Sequence, residues 1–483
     1  MRQLRSYQFL TINAYWLGLG IMGGTITPLI LPWIADRFSP VELGGFISLE
    51  KNSALGFLRA AGLAVAILIQ PIAGTLSDRS TLRWGRRRPF ILTGTALDLV
   101  FLALIAAATN FWMALLALML LQFSSNIAHG ALQGLIPDIV PEDQRGRVSG
   151  VKSFLEVLAI VLVSVIGVGT LIDRGEVGSA VLILMVGLVA TMLVTLTVSE
   201  RQGQEPTEPL GPRVSRIVWL TLIFGAAFIV ALSLVGVVGS LLSGAGMAQL
   251  VGVGLAGLAA MAGAIVIGVS FSARVGIGEG IREHPAFVWW VTNRLLFFAG
   301  VGSIQGFALF FLDDVVGVAN PAQATATLMA VLGVFTLVAA VGSGFLGDRY
   351  GRKPLLMLSG LVAGGGTFVL LMASSLGMVY AVGILLGLAT GTFIVTNWAM
   401  GTELVPADEA GRYLGVSNLA GGGAGLVGVG IGGPLADFFN GFSPGSGYLV
   451  VFAIYAVLFL LSSVVLLKVP ETLKRRTGEA APA

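Results

Sequence analysis

The sequence has no cysteine, only two histidines and little charge, with Asp, Glu, Lys and Arg together making up 11% of its 483 residues. Without cysteine there are no disulfides, no thiol catalysis and no thiolate metal sites. His129 and His284 form no metal cluster, and no run has the glycine pattern of a nucleotide-binding loop. The chain is therefore expected to be neither an enzyme nor an ATP-driven pump, and no cofactor or metal is expected. The formal net charge is +3, and the basic loops need no nucleic-acid partner to explain them.

So few charges cannot cover a soluble globule of this length. What is plentiful is apolar: 56% of residues are hydrophobic and 67 are glycine. A hydrocarbon core of roughly 30 Å needs about 20 apolar helical residues per crossing. Runs of that length recur along the chain, which predicts an all-α membrane protein in the lipid bilayer rather than a barrel of short alternating strands. Glycine suits such helices because small residues let backbones approach.

In order, spans are expected at 9–34, 55–77, 90–108, from Phe111 into the segment PDIVPEDQRGRVSG that starts at Pro137, then 148–171 and 177–198, which make an N-terminal six-helix half, 1–198. A polar linker, 199–215, follows. From Ile217 to Ala273 there is no Asp, Glu, Lys or Arg, and only the turn Ser243, Gly244, Ala245, Gly246 interrupts the run. This is long enough for an extra two-helix hairpin, 216–273, with a second linker at 274–285. Six more spans fill 286–470, and a tail covers 471–483, so fourteen helices are expected in all. The two arginines before the first span precede no small-residue cleavage site, so that span is read as uncleaved. Of the 28 Lys and Arg, all but Arg37, Lys51, Arg59, Arg174 and the in-span Arg294 fall on the side of the termini. By the positive-inside rule both termini are cytoplasmic.

Two motifs occur twice, in the same order. GTLSDRSTLRWGRRRP, from Gly74, shares its glycine, Asp-Arg, Gly-Arg and closing proline with GFLGDRYGRKP, from Gly344. PDIVPEDQRGRVSG, from Pro137, matches TELVPADEAGRYLG, from Thr402, pairing Asp138 with Glu403 and Arg147 with Arg412. Parallel repeats of this kind build transporters that rock about a site between their halves.

The paired loops resemble the loop motif of the major facilitator superfamily, where it links the second and third helices of each half. Within it, GTLSDRSTLRWGRRRPFI and QFSSNIAHGALQGLIPDIVPEDQRGRVSG are similar to the sucrose/proton symporters and the glycoside, pentoside and hexuronide cation symporters. The similarity covers roughly 70–150, with FFLDDVVG and the loop motifs in the second half. It implies a major facilitator fold. It also implies a cytoplasmic latch made by Gly74, Asp78, Arg79, Gly85, Arg86, Arg87, Arg88, Asp348, Arg349, Gly351, Arg352 and Lys353, to which Arg147 and Arg412 of the second motif are added. At the register where those symporters carry an aspartate, an Asn pair, a glutamine and an arginine, this chain has Gln122, Ser125, Asn126, His129 and Gln133. Neither their coupling carboxylate nor their basic sugar contact stands at these places.

Gln122, Asn126, His129 and Gln133 recur at i, i+4, i+7 and i+11, one stripe on one helix face. Each such side chain is costly in hydrocarbon unless it meets water or a partner. The stripe is read as a sugar-binding surface in an aqueous cavity; a hydrogen-bonded helix seam is the alternative. Asp98 lies about 14 Å into the third span at 1.5 Å per residue, near the midplane. It is a candidate for proton coupling, or else a structural hydrogen-bonding group. Glu156 is a second coupling candidate, although Lys152 one turn earlier can neutralise it. Arg294 is placed with the substrate-binding residues, with snorkelling as its alternative. Trp16 and Trp398 can stack on a sugar ring or sit at the membrane interface.

The expected function is secondary transport of a small polar solute, a sugar or glycoside, by alternating access with a proton or other cation. The expected setting is the plasma membrane, as a monomer. The alternatives are an exporter of amphiphilic compounds and a non-transporting membrane sensor or assembly factor.

Overall fold

The computed structural model describes residues 3–43, 47–200, 211–278, 281, 283–405 and 410–471. The chain is almost entirely helical, in runs that follow the apolar stretches of the sequence. The first span is α1 (Ser6–Thr25) and α2 (Leu31–Phe38), joined through a wider π-helical turn, Ile26–Ile30. Pro28 lies in that turn, where its missing N–H breaks the regular ladder. Two short strands, β1 (Val41–Leu43) and β2 (Ile47–Leu49), pair in the segment between the first two expected spans.

Then follow α3 (Lys51–Asp78), α4 (Arg88–Ala106), α5 (Phe111–Ile139), α6 (Arg145–Val165), the short α7 (Val168–Asp173) and α8 (Val177–Leu196). The expected fifth span is broken at Gly167, whose φ of 78° is a glycine conformation. The uncharged hairpin is α9 (Gly211–Leu241) and α10 (Met247–Ile277). The remainder is α11 (Pro285–Asp314), α12 (Pro321–Tyr350), α13 (Arg352–Leu370), α14 (Leu376–Leu404), α15 (Ala410–Asn440) and α16 (Ser446–Val465).

Among the described residues, 12 helices are long and apolar enough to cross a membrane, against the fourteen expected. Gly211–Leu241 and Ala410–Asn440 stand outside that count. Many of their side chains lie outside the described residues, and in the former the described apolar part is Ile229–Leu241.

The helices gather into two compact units. The first holds Met1–Val41, Ala61–Thr221 and Asn320–Ala330. In it α4 packs on α5, and α1 on α6 and α8. The start of α12 belongs here because Asp173 accepts the N–H groups of Ala322 and Gln323 at 2.9 and 3.0 Å, satisfying donors that a helix start leaves free. The second unit holds Glu42–Ala60, Leu222–Ala319 and Val331–Ala483. Here α11 packs on α15 and α16, α13 on α14 and α16, and α10 on α15. The start of α3 is held in the same manner as that of α12: Asp437 accepts from the Asn52 and Ser53 N–H groups at 3.3 and 2.6 Å.

Candidate functional site

The neutral stripe of α5 opens onto a cavity of about 340 Å³ within the first unit. Its walls include Gln122, Ser125, Asn126 and His129 of α5, Trp16 of α1, Gln70 of α3 and Glu156 of α6. The 3.6-residue period brings three of the four predicted stripe residues to this wall. The fourth, Gln133, lies beyond it and is exposed, with its Nε2 3.4 Å from His129 Nε2. The Asn126 amide donates to the Gln122 carbonyl at 2.7 Å, so part of the stripe's hydrogen-bonding capacity is spent along its own helix.

One wall of the cavity is a layered cation and aromatic group. Lys152 Nζ lies 3.9 Å from the Trp16 ring centroid and 3.1 Å from Glu156 Oε1. The Trp16 ring meets His129 edge-on, with centroids 5.1 Å apart. The i, i+4 pairing of Lys152 with Glu156 is present, and of the two it is the Glu156 residue that lines the cavity.

Asp98 is fully buried and does not line this cavity. Ser124 Oγ donates to its Oδ1, and its Oδ2 is buried without a partner. Nearby, the hydroxyls of Tyr15 and Thr95 are 2.5 Å apart.

Arg294 and Trp398 lie in the second unit and do not join this group. The Arg294 guanidinium sits 5.4 Å from the Trp398 ring, 5.6 Å from Phe298 and 6.0 Å from Trp290. Trp290 is wholly buried, and its Nε1 donates to the Asn397 carbonyl at 2.9 Å. It is therefore a packing residue that frames Arg294.

The repeated arginine loops make the densest charge networks. In the first copy Arg87 is 3% exposed and donates to Asp78, Ser77 and Asp138, the last through Nε at 2.9 Å. Arg86 also binds Asp138. The backbone N–H of Arg87 donates to Glu200 at 2.7 Å. Gly85 permits this with a φ of 114°, and a Cβ there would stand 2.8 Å from the Glu200 carboxylate. Burial holds the Glu200 carboxyl above its ordinary range.

In the second copy Arg352 binds Glu403, with Nη2 to Oε1 at 3.0 Å. The N–H groups of Arg352 and Lys353 donate to Glu471 at 3.3 and 3.0 Å. Gly351, with a φ of 95°, lies against that carboxylate as Gly85 does against Glu200. Of the other expected latch residues, Arg79, Arg147 and Arg349 are exposed or half-exposed, and the side chains of Asp348 and Arg412 lie outside the described residues.

Sequence reading paired Asp138 with Glu403 but did not place them with the arginines, and it missed Glu200 and Glu471. The signal was there. Each glutamate follows the last span of its half, as Val198-Ser199-Glu200 and Val469-Pro470-Glu471, at nearly the spacing of the other repeats.

The fold is that of a helical multi-pass membrane protein with doubled charge-locked loops. The chain belongs to the Major Facilitator Superfamily, whose family model matches residues 50–325 and 296–482. Over 111 residues it is 30% identical to sucrose transport protein SUT1 of Oryza sativa subsp. japonica, covering 18% of this chain and 21% of that protein. Over 176 residues it is 30% identical to the class H tetracycline resistance protein of Pasteurella multocida, covering 36% and 42%. The matches thus span less than half the length of either relative. The crystal structure of a D-xylose-proton symporter superposes with a TM-score of 0.62 at 17% identity, over 97% of this chain and 99% of that one, a likeness of fold.

Proposed function

We propose that this chain is a secondary active transporter that moves a sugar or glycoside by alternating access, coupled to protons. In this reading it works as a monomer in the plasma membrane with both termini in the cytoplasm. The observation that carries the proposal is the α5 cavity, in which amide, hydroxyl and imidazole groups converge beside the Trp16 indole. Neutral donors and acceptors next to an aromatic face suit a polyol. Gln122, Asn126, His129 and Trp16 bind solute, and Gln133 lies at the rim of the stripe. Glu156 exchanges a proton at the cavity wall, and Asp98 does so one layer behind, through Ser124. Arg294 and Trp398 contact solute in the second unit. The two arginine loops latch one state of the cycle from the cytoplasmic side.

The test is uptake of labelled sucrose and a panel of glycosides into proteoliposomes, with and without an acid-outside pH gradient. Gradient-driven uptake by wild type is expected, with loss in Asp98→Asn and Glu156→Gln while counterflow exchange persists. Uptake indifferent to the gradient would remove both carboxylates from the mechanism.

A second reading, export of amphiphilic compounds, is favoured by one observation. The second unit has an apolar cavity of about 580 Å³ between α10, α15 and α16, walled by Leu255, Phe368, Phe439 and Phe442 among others. Absence of any sugar flux, with drug susceptibility rising on deletion of the gene, would select it.

A further inference from the structure

At the ends of α7 and α15 the chain repeats a short run that the function above leaves unused: GTLID, from Gly169, and GPLAD, from Gly433. Each carries an aspartate four residues after a glycine, so the two stand on one helix face. Asp173 accepts the N–H groups of Ala322 and Gln323, the second and third residues of α12. Asp437 accepts those of Asn52 and Ser53, the second and third residues of α3. The glycines allow the close approach: a Cβ on Gly169 would run into the Gln323 backbone, and one on Gly433 into the Asn52 carbonyl. The two grips are thus copies of one another, down to the helix position they hold. Nothing within either run names the helix it grips.

Each grip joins the two sequence halves while staying inside one compact unit. The start of α12, a helix of the second half, lies in the first unit, and the start of α3, a helix of the first half, lies in the second. The remaining turns of each helix belong to the opposite unit. A carboxylate cap is a directional contact of modest strength, which suits a fastening that has to open and close. The first grip reaches further. Gln323 Oε1 accepts from the Thr170 N–H at 3.1 Å, and its Nε2 donates to the Ser164 carbonyl at 3.0 Å. These are the loose ends of α7 and α6 on either side of Gly167, so one side chain of α12 supports both edges of that break.

We propose that the GTLID and GPLAD caps are the two parts of one outer latch, closed in this structure, and that they let go together when the transporter opens to the outside. This rests on the alternating-access reading and on the orientation proposed above, which puts the starts of α3 and α12 outside.

The absence of cysteine from the chain allows a direct test. Ala54 and Ala324, both buried, are the fourth residues of α3 and α12 and take no side-chain part in either cap. Ala54→Cys and Ala324→Cys are made singly in the full-length protein, and right-side-out membrane vesicles are treated with a membrane-impermeant maleimide. Both reporters are expected to label slowly. Asp437→Ala should speed labelling not only of Ala54→Cys but also of Ala324→Cys, at the other cap, by roughly tenfold, the scale of one lost cap. Asp173→Ala should do the same in reverse. Asp437→Asn, which keeps an acceptor oxygen, should fall between, and it stands in for Asp437→Ala if that chain does not reach the membrane. Acceleration at the substituted cap alone is fraying of one helix start and overturns the latch, as does acceleration at neither. Acceleration only by reagent supplied from the cytoplasmic face overturns its outer placement. Acceleration at both reporters, in a protein that carries no labelled solute into proteoliposomes, upholds the latch and overturns the transport reading.

Discussion

The two arginine loops are copies of one motif, yet they lock in different ways. In the first copy one side chain, Arg87, reaches the Gly74 carbonyl, Ser77, Asp78 and Asp138, while Arg86 shares Asp138. In the second, Arg352 binds Glu403 with its side chain 13% exposed, against 4% for that of Arg87. The backbone part of the motif is the same in both: a glycine in a positive-φ conformation brings a glutamate from beyond the half's last span onto the following N–H groups. What the duplication retains is the glycine and the carboxylate. What has diverged is how deeply the arginine is buried.

The largest expected contrast follows from that burial. Arg87→Ala takes one of its two arginines from Asp138, removes the Asp78 and Ser77 contacts and empties a buried slot, which should cost about 3–5 kcal/mol, the range for breaking a buried pair. Arg352→Ala breaks a less deeply buried pair with Glu403, the side chains being 13% and 17% exposed, for which about 1.5–3 kcal/mol is expected. Equilibrium unfolding of the two variants in the same detergent measures both. Equal losses would mean that the deeper burial of Arg87 adds nothing.

A smaller effect tests why the first copy can hold such an arginine at all. A Cβ at Gly134 would collide with the Arg87 guanidinium. The residue aligned with Gly134 in the second repeat is Ala399, and there Arg352 passes by Gly347 with ordinary clearance. Gly134→Ala should therefore destabilise by about 1–3 kcal/mol through overpacking, although alanine is ordinarily the better helix former. The reciprocal Ala399→Gly should cost only the roughly 0.5–1 kcal/mol of a helix glycine. Gly134→Ala leaving the melting temperature unchanged would show that Arg87 can take another path.

Much of this was legible in the residues themselves. The apolar runs located the helices because hydrocarbon allows no other fold for uninterrupted greasy segments. The spacing of Gln122, Asn126 and His129 located a cavity wall because helical period alone decides a face. The break at Gly167 was not legible, since a glycine inside a span is common and only its φ reveals the kink. Nor was the crossing of the compact units. That Asp437 caps a helix of the first half, and Asp173 one of the second, is a long-range pairing with no local signature. Arg59, read as one outer charge among several, proved to lie against the glycines of α11.

The smallest expected effect concerns pH. Glu200 and Glu471 occupy equivalent places, but both oxygens of Glu471 accept N–H groups, whereas Glu200 Oε1 is buried without a partner. Desolvation accordingly raises the Glu200 carboxyl above its ordinary 4.5, against the attraction of Arg88 and Arg87. The folded chain then takes up a proton there at a pH where the unfolded chain does not. Its contribution to stability is fully present below 4.5 and is lost as pH rises through the elevated value. Glu200→Gln, which keeps the acceptor and removes the titration, should flatten that limb, so that the variant gains on wild type as the medium goes from acid to neutral. Melting temperatures of wild type, Glu200→Gln and Glu471→Gln across that interval measure it. A wild-type advantage that grows with pH would mean that the charged carboxylate, with its arginines, outweighs the cost of burying it.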